Sequence, residues 1–597
     1  MPFGSALLAH RRFFWIAVAA GMLLSCSSLG VGFFLDDYPF VAWLDGTGPK
    51  RVTPFDLYEF GLGDRASNYE MMRGGPWPWW ADPELKVRFF RPLSSALLWV
   101  DHALFGHAPL GYHAHAVLWF GALLVSAGLL FRSALSPSIY PLAFLLFAVN
   151  GGHVEAVGWI SARHMIVSAA PAVAALAAHV AYRERGFRAG RWLAVLGVLV
   201  GLMGGETAVG VLLYWLAYEA VGAPEQAPWR ARLRRMVLPF GIAVAYFAAY
   251  KGAGYGAAHS DAYLEPFADP ARFFLATLPR LPLLLGELLG GVSCQFAQMF
   301  SPGPFIVIGL VAVVLFGALA RAVWPAVPTE DRRALRWLAA GALLALLAAV
   351  GAFPGSRLLL LPGIGGCAFI ATILVYGAKI LAEPVLGRGA RAGIRGGRAY
   401  LVAAHLVFSP LMFVGSIPMV TDLAAATARI DRSLDGVLGG EGAPASAAHK
   451  VFLLAASDPV GGLYVGAARA IRAPQTVSSW LAFSLARAAH RIERVDERRL
   501  VISADPGMLH GSFEVVFRGS DRPLRSGDRV DLDDVSVTVL SMHERFPTSI
   551  EVLFRKISMD DPSVVLLLWR EGALVPVRLS PGERIDVPWS KGPTGFF

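Results

Sequence analysis

The chain has 597 residues, 55% of them hydrophobic and 16% charged, and a mean hydropathy of +0.53. Soluble domains carry about one-quarter charged residues, so this composition excludes an ordinary soluble protein and points to a polytopic membrane protein. The net charge of +9 falls in short basic clusters between apolar runs, which excludes a nucleic-acid-binding face, and three cysteines in or beside apolar segments (Cys26, Cys294, Cys367) indicate neither a disulfide framework nor a metal site.

The first apolar run, 13–35, is long enough to cross a bilayer, and Arg11 and Arg12 hold its start in the cytoplasm. Leu23-Leu24-Ser25-Cys26 is similar to a lipoprotein cleavage box, but the run continues to Leu35, as an uncleaved anchor does. It ends at Asp36-Asp37, which therefore emerge on the outer face. Adjacent carboxylates at a membrane boundary are costly, so they read either as a site or as a solvated helix end. The outer loop 36–111 follows, with the aromatic stretch Gly75-Pro76-Trp77-Pro78-Trp79-Trp80. Interface anchoring is the commoner reason for such density; sugar stacking is the other.

Further spans are expected near 112–132, 137–152, 165–182, 192–205, 207–222, 237–253, 303–323, 337–353, 357–377 and 400–418. About eleven crossings put the amino terminus inside and the carboxyl terminus outside. The basic clusters agree: Arg183 to Arg191, Arg230 to Arg235, Arg321 with Arg332, Arg333 and Arg336, and Lys379 with Arg388 to Arg398 all fall on the cytoplasmic side. Counting 272–300 as a further span would reverse the Arg332 cluster. That segment is read as lying along or dipping into the outer face, interrupted by Pro279 and Pro282. The expected organisation is thus an all-α polytopic domain over 1–418, a linker over 419–449 with small residues at 439–448, and a β-rich extracytoplasmic domain over 450–597. In that domain, strand patterns recur at 451–454, 499–503, 512–517, 535–540, 550–554 and 564–568.

Polar residues beside span ends gather on the predicted outer face. They are Asp36 and Asp37; Arg91 before an amphipathic stretch; His153, Glu155, Arg163 and His164 between the third and fourth spans; Glu206 in a Gly-Gly-Glu turn; and Arg357 in Phe353-Pro354-Gly355-Ser356-Arg357. A glycosyl transfer from a lipid phosphate needs a base for the acceptor hydroxyl and cations for the departing phosphate. A carboxylate at Asp36 or Asp37 suits the first, and guanidiniums at Arg91, Arg163 or Arg357 suit the second. His153 and Glu155 suit either orientation of the acceptor or, with Asp37, a divalent cation. Interfacial snorkelling is the bland reading of each arginine taken singly.

Four stretches resemble the GT-C superfamily of integral-membrane glycosyltransferases, within it the protein O-mannosyltransferase-like branch. They are Leu35-Asp36-Asp37-Tyr38-Pro39; Arg91-Pro92-Leu93 running through Asp101-His102-Ala103-Leu104-Phe105-Gly106 to Gly111-Tyr112-His113; His153-Val154-Glu155-Ala156-Val157 with Ser161-Ala162-Arg163; and Ser356-Arg357 through Leu361-Pro362-Gly363-Ile364-Gly365. The likeness is to the membrane halves of tetratricopeptide-repeat O-mannosyltransferases and their bacterial relatives, over about 13–380. It implies a GT-C-type helical fold in a bacterial inner membrane, a polyprenyl-phosphate donor carrying a mannose-type hexose, and inverting transfer on the outer face. It also implies a carboxylate base, Asp37 by its position, with Asp36 supporting it or binding metal. The acceptor is a protein, a glycolipid or a cell-wall polymer. Two departures stand out: Gly205 replaces the lysine the family often places before the glutamate matching Glu206, and a β-rich tail replaces the repeats. A flippase for a lipid-linked sugar and a non-catalytic assembly factor are the rival readings. A flippase should carry ionisable groups near mid-membrane, where these spans are almost free of charge.

Overall fold

The computed structural model describes residues 12–73, 75–223, 228–383, 387–443, 448–511 and 513–594; Arg11, Ser512 and part of the expected linker, 444–447, lie outside the described residues. The chain divides into two compact units, each built from three stretches. One gathers residues up to 31, 89–255 and 269–419; the other gathers 32–88, 256–268 and 420 onward. Residues 32–88 of the first outer loop thus group with the tail rather than with the helical domain expected over 1–418.

The first unit is helical, and the chain is a multi-pass membrane protein. Among the described residues, eight helices are long and apolar enough to cross a bilayer: Phe13–Gly30, Pro109–Ala134, Ile160–Arg185, Trp229–Gly252, Pro270–Gly290, Pro302–Ala326, Pro362–Ala382 and Arg388–Leu438. The pair Tyr140–Ala148 and Gly151–Gly158, bent by 43°, makes a ninth if taken as one span. Two expected spans are shorter apolar helices, Gly190–Gly204 and Thr207–Gly222. Another falls in helix Thr329–Ala349, whose first turn carries Glu330 and Asp331. Gly190–Gly204 packs closely on its neighbour because Gly197, Gly201 and Gly204 meet Pro171, Ala172 and Ser168, where an added Cβ would sit only 2.7–2.8 Å from the nearest atoms.

Segment Pro270–Gly290 is one continuous helix of 21 residues with Pro279 and Pro282 inside it, which corrects the expected interruption. Tertiary contacts offset the missing amide bonds. Arg280 Nη1 donates to the carbonyls of Val350, Gly351 and Ala352 at 3.1–3.3 Å, and Gly309 lies against the Pro282 backbone with no room for a Cβ.

Among the described residues the second unit contains thirteen strands. β1 (Glu59–Leu62), β2 (Lys86–Arg88) and β3 (Gly256–Ala258) form a small antiparallel sheet. β4 (His449–Ala455), β5 (Val477–Ala482), β11 (Val564–Arg570) and β12 (Ala573–Pro576) form a sheet in the order β12-β11-β4-β5, with β4 parallel to β5 and β11. That position explains the unbroken apolar run of β4, since a strand covered on both faces does not alternate. β6 (Ala489–Arg494), β7 (Arg499–Asp505), β8 (Arg529–Asp531), β9 (Val535–His543), β10 (Phe546–Phe554) and β13 (Arg584–Val587) form an antiparallel sheet in the order β13-β6-β7-β10-β9-β8. The strand expected at 512–517 is instead helix Glu514–Phe517. Phe513 and Phe517, four apart, pack on each other and reach Tyr464 and Trp77 respectively, a helical spacing.

The Trp-rich stretch neither anchors at an interface nor offers a sugar platform. Trp77, Trp79 and Trp80 are buried in this unit, and Trp79 Nε1 donates to the Phe483 carbonyl at 2.9 Å. The expected linker is largely ordered helix: Ser409–Ser433 runs past the boundary and Asp435–Leu438 follows. Asp431 and Asp435 there accept from Arg469 and Arg472 at 2.5–2.8 Å, with Arg469 and Asp431 both buried.

Candidate functional site

In the helical unit, Arg91 stands just before helix Pro92–Phe105. Proline at the first helical position favours helix beyond it and keeps the preceding residue extended, so Arg91 (φ −133°) is set outside the turn. Its Nε donates to Glu206 Oε2 at 2.8 Å, Tyr250 donates to Glu206 Oε1 at 3.2 Å, and the guanidinium lies 4.2 Å from the Phe89 ring centre. Gly205 (φ +152°) is strained for any side chain, and a Cβ there would meet Arg91 Cγ at 3.4 Å and His164 Nδ1 at 3.5 Å. The Glu206 carboxylate beside Gly205 is thus paired with a cation 115 residues earlier in the sequence, Arg91.

A second pair forms between Glu155 and Arg357. Glu155 accepts from Gln295 Nε2 and from the Arg357 amide, each at 2.8 Å, and from Arg357 Nη1 at 3.5 Å. Arg357 also donates to the Phe353 carbonyl and stands 5.8 Å from the Trp159 ring centre. All four charged side chains are only partly exposed. A guanidinium with one edge held by a carboxylate keeps a fixed plane, which suits bidentate capture of a phosphate oxygen pair.

Two expected site residues are committed elsewhere. Arg163, only 1% exposed, pairs with Asp101 and donates to the Tyr112 carbonyl at 3.1 Å; Asp101 in turn meets His115 Nδ1 at 2.6 Å. The Arg163–Asp101 pair ties helices together rather than presenting a cation. His153, 4% exposed, contacts the Phe147 carbonyl through Nε2 at 2.8 Å and packs between the Phe120 and Phe147 rings. Among the described residues no three His, Cys, Asp or Glu side chains come close enough to hold a metal ion. Asp37, His153 and Glu155 thus do not form the ligand set the sequence allowed, because His153 and Glu155 face separate partners.

In the second unit, Asp36 and Asp37 open helix Asp37–Leu44, where the helix dipole favours negative charge. Leu35 before them has φ +47°, a left-handed conformation costing about 1–2 kcal/mol in a non-glycine residue. Asp37 is 1% exposed and its Oδ2 accepts from the Phe34 amide at 3.1 Å, while Asp36 is half-buried and its Oδ1 accepts from the Tyr464 hydroxyl at 2.8 Å. Tyr38 is buried beside them; desolvation and then the Asp37 charge push its phenol above the ordinary value.

No known family profile and no curated protein matches the chain. Among solved structures, the oligosaccharyltransferase of Archaeoglobus fulgidus, tethered with an acceptor peptide containing the NVT sequon, is 11% identical at a TM-score of 0.39, and the match covers 79% of this chain and 64% of that one. The same organism's oligosaccharyltransferase AglB, in complex with an inhibitory peptide and a dolichol-phosphate, is 11% identical at 0.39, over 78% and 64%. ArnT from Cupriavidus metallidurans, bound to undecaprenyl phosphate, is 13% identical at 0.36, over 76% and 84%. This chain thus spans about two-thirds of the length of the archaeal structures. These are distant likenesses, and none assigns a role to a residue here.

Sequence reading did not find Gln295, Tyr250 or Tyr464, and it quoted Asp101 within the second stretch of the resemblance without giving it a role. Asp101 had a readable signal: it lies with Ser94 and Ser95 on the buried side of helix Pro92–Phe105, whose Trp99, Leu104 and Phe105 are exposed. Polar-inside, apolar-outside patterning is what a helix facing lipid shows. Tyr464 gave none, being 428 residues from its partner.

Proposed function

We propose that this chain is a membrane glycosyltransferase of GT-C type, moving a mannose-type hexose from a polyprenyl-phosphate donor to an acceptor hydroxyl on the outer face of a bacterial inner membrane. Its amino terminus is cytoplasmic and its β-rich domain periplasmic. The observation that carries this reading is the pair of partly exposed arginines, Arg91 and Arg357, each held by a glutamate in the helical unit. Charges kept in such a setting mark function, and their fork geometry suits phosphate.

Chemically, one carboxylate of the Asp36–Asp37 pair takes the proton of the acceptor hydroxyl. The hydroxyl oxygen bonds to the anomeric carbon from the face opposite the leaving group, the carbon–oxygen bond to the lipid phosphate breaks, and its electron pair leaves on the phosphate. Arg91 and Arg357 hold the charge that grows there. Position in the motif favours Asp37 as base, whereas exposure favours Asp36: Asp37 is 1% exposed and accepts from the Phe34 amide. Asp36 is accordingly assigned the base, Asp37 the turn, and Glu155 and Glu206 the orientation of the arginines.

Transfer of radiolabelled sugar from a panel of polyprenyl-phosphate sugars, in membranes carrying wild type, Asp36→Asn or Asp37→Asn and supplied with acceptor-containing extract, tests the reading. Wild-type transfer that collapses in Asp36→Asn supports it. Equal transfer by all three proteins removes the acidic pair from the chemistry. No transfer from any donor, with lipid-linked sugar moving across the membrane, makes the protein a flippase.

A further inference from the structure

Asp36 meets a side chain that belongs to the tail of the chain. The turn Val460–Tyr464 is a single π-helical turn, followed directly by helix Val465–Arg472, and the wide turn brings the Tyr464 hydroxyl to Asp36 Oδ1 at 2.8 Å. Such turns are rare and are found frequently at functional sites. This one is held at both ends. Before it, Asp458, 1% exposed, accepts from the Gly461 amide at 3.0 Å and from the amide and hydroxyl of Thr594, each at 2.9 Å. At its end, the Tyr464 ring packs edge-on against Phe513, with centroids 6.0 Å apart. The left-handed Leu35 fixes the other side, presenting Asp36 where the phenol reaches it.

We propose that Tyr464 is a positioning residue for Asp36, so that the β-rich domain completes the carboxylate on which the proposed transfer depends. The inference rests on the glycosyltransferase reading and adds to it a role for the tail. A phenol donating to a carboxylate oxygen holds the carboxylate rotamer and so the direction from which it meets the acceptor hydroxyl. Burial, and then the Asp36 charge, push the Tyr464 phenol well above its ordinary value, so it stays a donor at any working pH.

Steady-state kinetics of the full-length protein with the donor found active test this. Tyr464→Phe keeps the ring and deletes only the hydroxyl. We expect kcat to fall roughly 10- to 100-fold, the range of one hydrogen bond to a charged group, with donor KM within about twofold. Phe513→Leu, which loosens the ring's packing and leaves the hydroxyl, should lose far less. Wild-type kcat in Tyr464→Phe, a loss confined to KM, or an equal loss in Phe513→Leu overturns the proposal while leaving the glycosyltransferase reading intact. Absence of transfer by the wild-type protein from every donor overturns both.

Discussion

Arg163 and Arg91 are both guanidiniums set among apolar helices, and they differ in how far the protein encloses them. Arg163 and Asp101 are each 1% exposed, so removing Arg163 leaves the Asp101 charge in a low-dielectric interior without its guanidinium partner. Arg163→Ala should therefore cost about 3–5 kcal/mol of stability, seen as a large fall in melting temperature in detergent. Arg91 and Glu206 are partly exposed, and the same loss there should be small. Arg91→Lys keeps the charge but not the fork; donor KM should rise about tenfold with the melting temperature little changed. Glu514 makes a pH prediction. Burial pushes its carboxyl up to about 7 from an ordinary 4.5, so between those values the folded chain holds a proton the unfolded chain has lost. The Glu514 contribution to stability is thus greatest below about pH 4.5 and falls by about 3 kcal/mol as pH rises from there through 7. Melting of Glu514→Gln should show a smaller drop between pH 5 and pH 8 than wild type shows.

Elements here are held by contacts remote in sequence. Gly75 has φ +90°, and a Cβ on it would sit 1.6 Å from the Trp480 carbonyl oxygen of β5. Backbone contact that close leaves no side chain to yield. Gly75→Ala should displace the buried Trp77–Trp80 stretch and lower the melting temperature more than any substitution at an exposed loop glycine such as Gly527. The long Arg388–Leu438 helix makes the complementary case. Its expected linker portion has ordinary helical sequence, yet Arg469 and Arg472 clamp Asp431 and Asp435 from helix Val465–Arg472. The part of the expected connector that lies in the second unit packs within that unit because charges 34–41 residues apart in sequence meet.

At the scale of the whole molecule, the proposed topology places the two ends of the chain on opposite sides of the bilayer. A cysteine replacing exposed Ser526 in the tail should react with a membrane-impermeant maleimide in intact cells; one replacing exposed Arg188, in a basic loop, should react only after permeabilisation. The reverse pattern would invert the topology and remove the acidic pair from the outer face.

Composition and hydropathy by themselves determined that the chain is a helical membrane protein with a β-rich tail, because twenty-residue apolar runs and period-two alternation are local properties. Five of the six expected tail strands lie within observed strands for the same reason. Pairing was decided only by the tertiary structure. Which carboxylate faces Arg91, that Arg163 is enclosed by Asp101, that the Trp-rich stretch is core, and that Tyr464 reaches Asp36 all depend on segments separated by 62 to 428 residues. A single sequence carries no local trace of such distances, since the energy of each contact belongs to the packed partners and not to either segment alone.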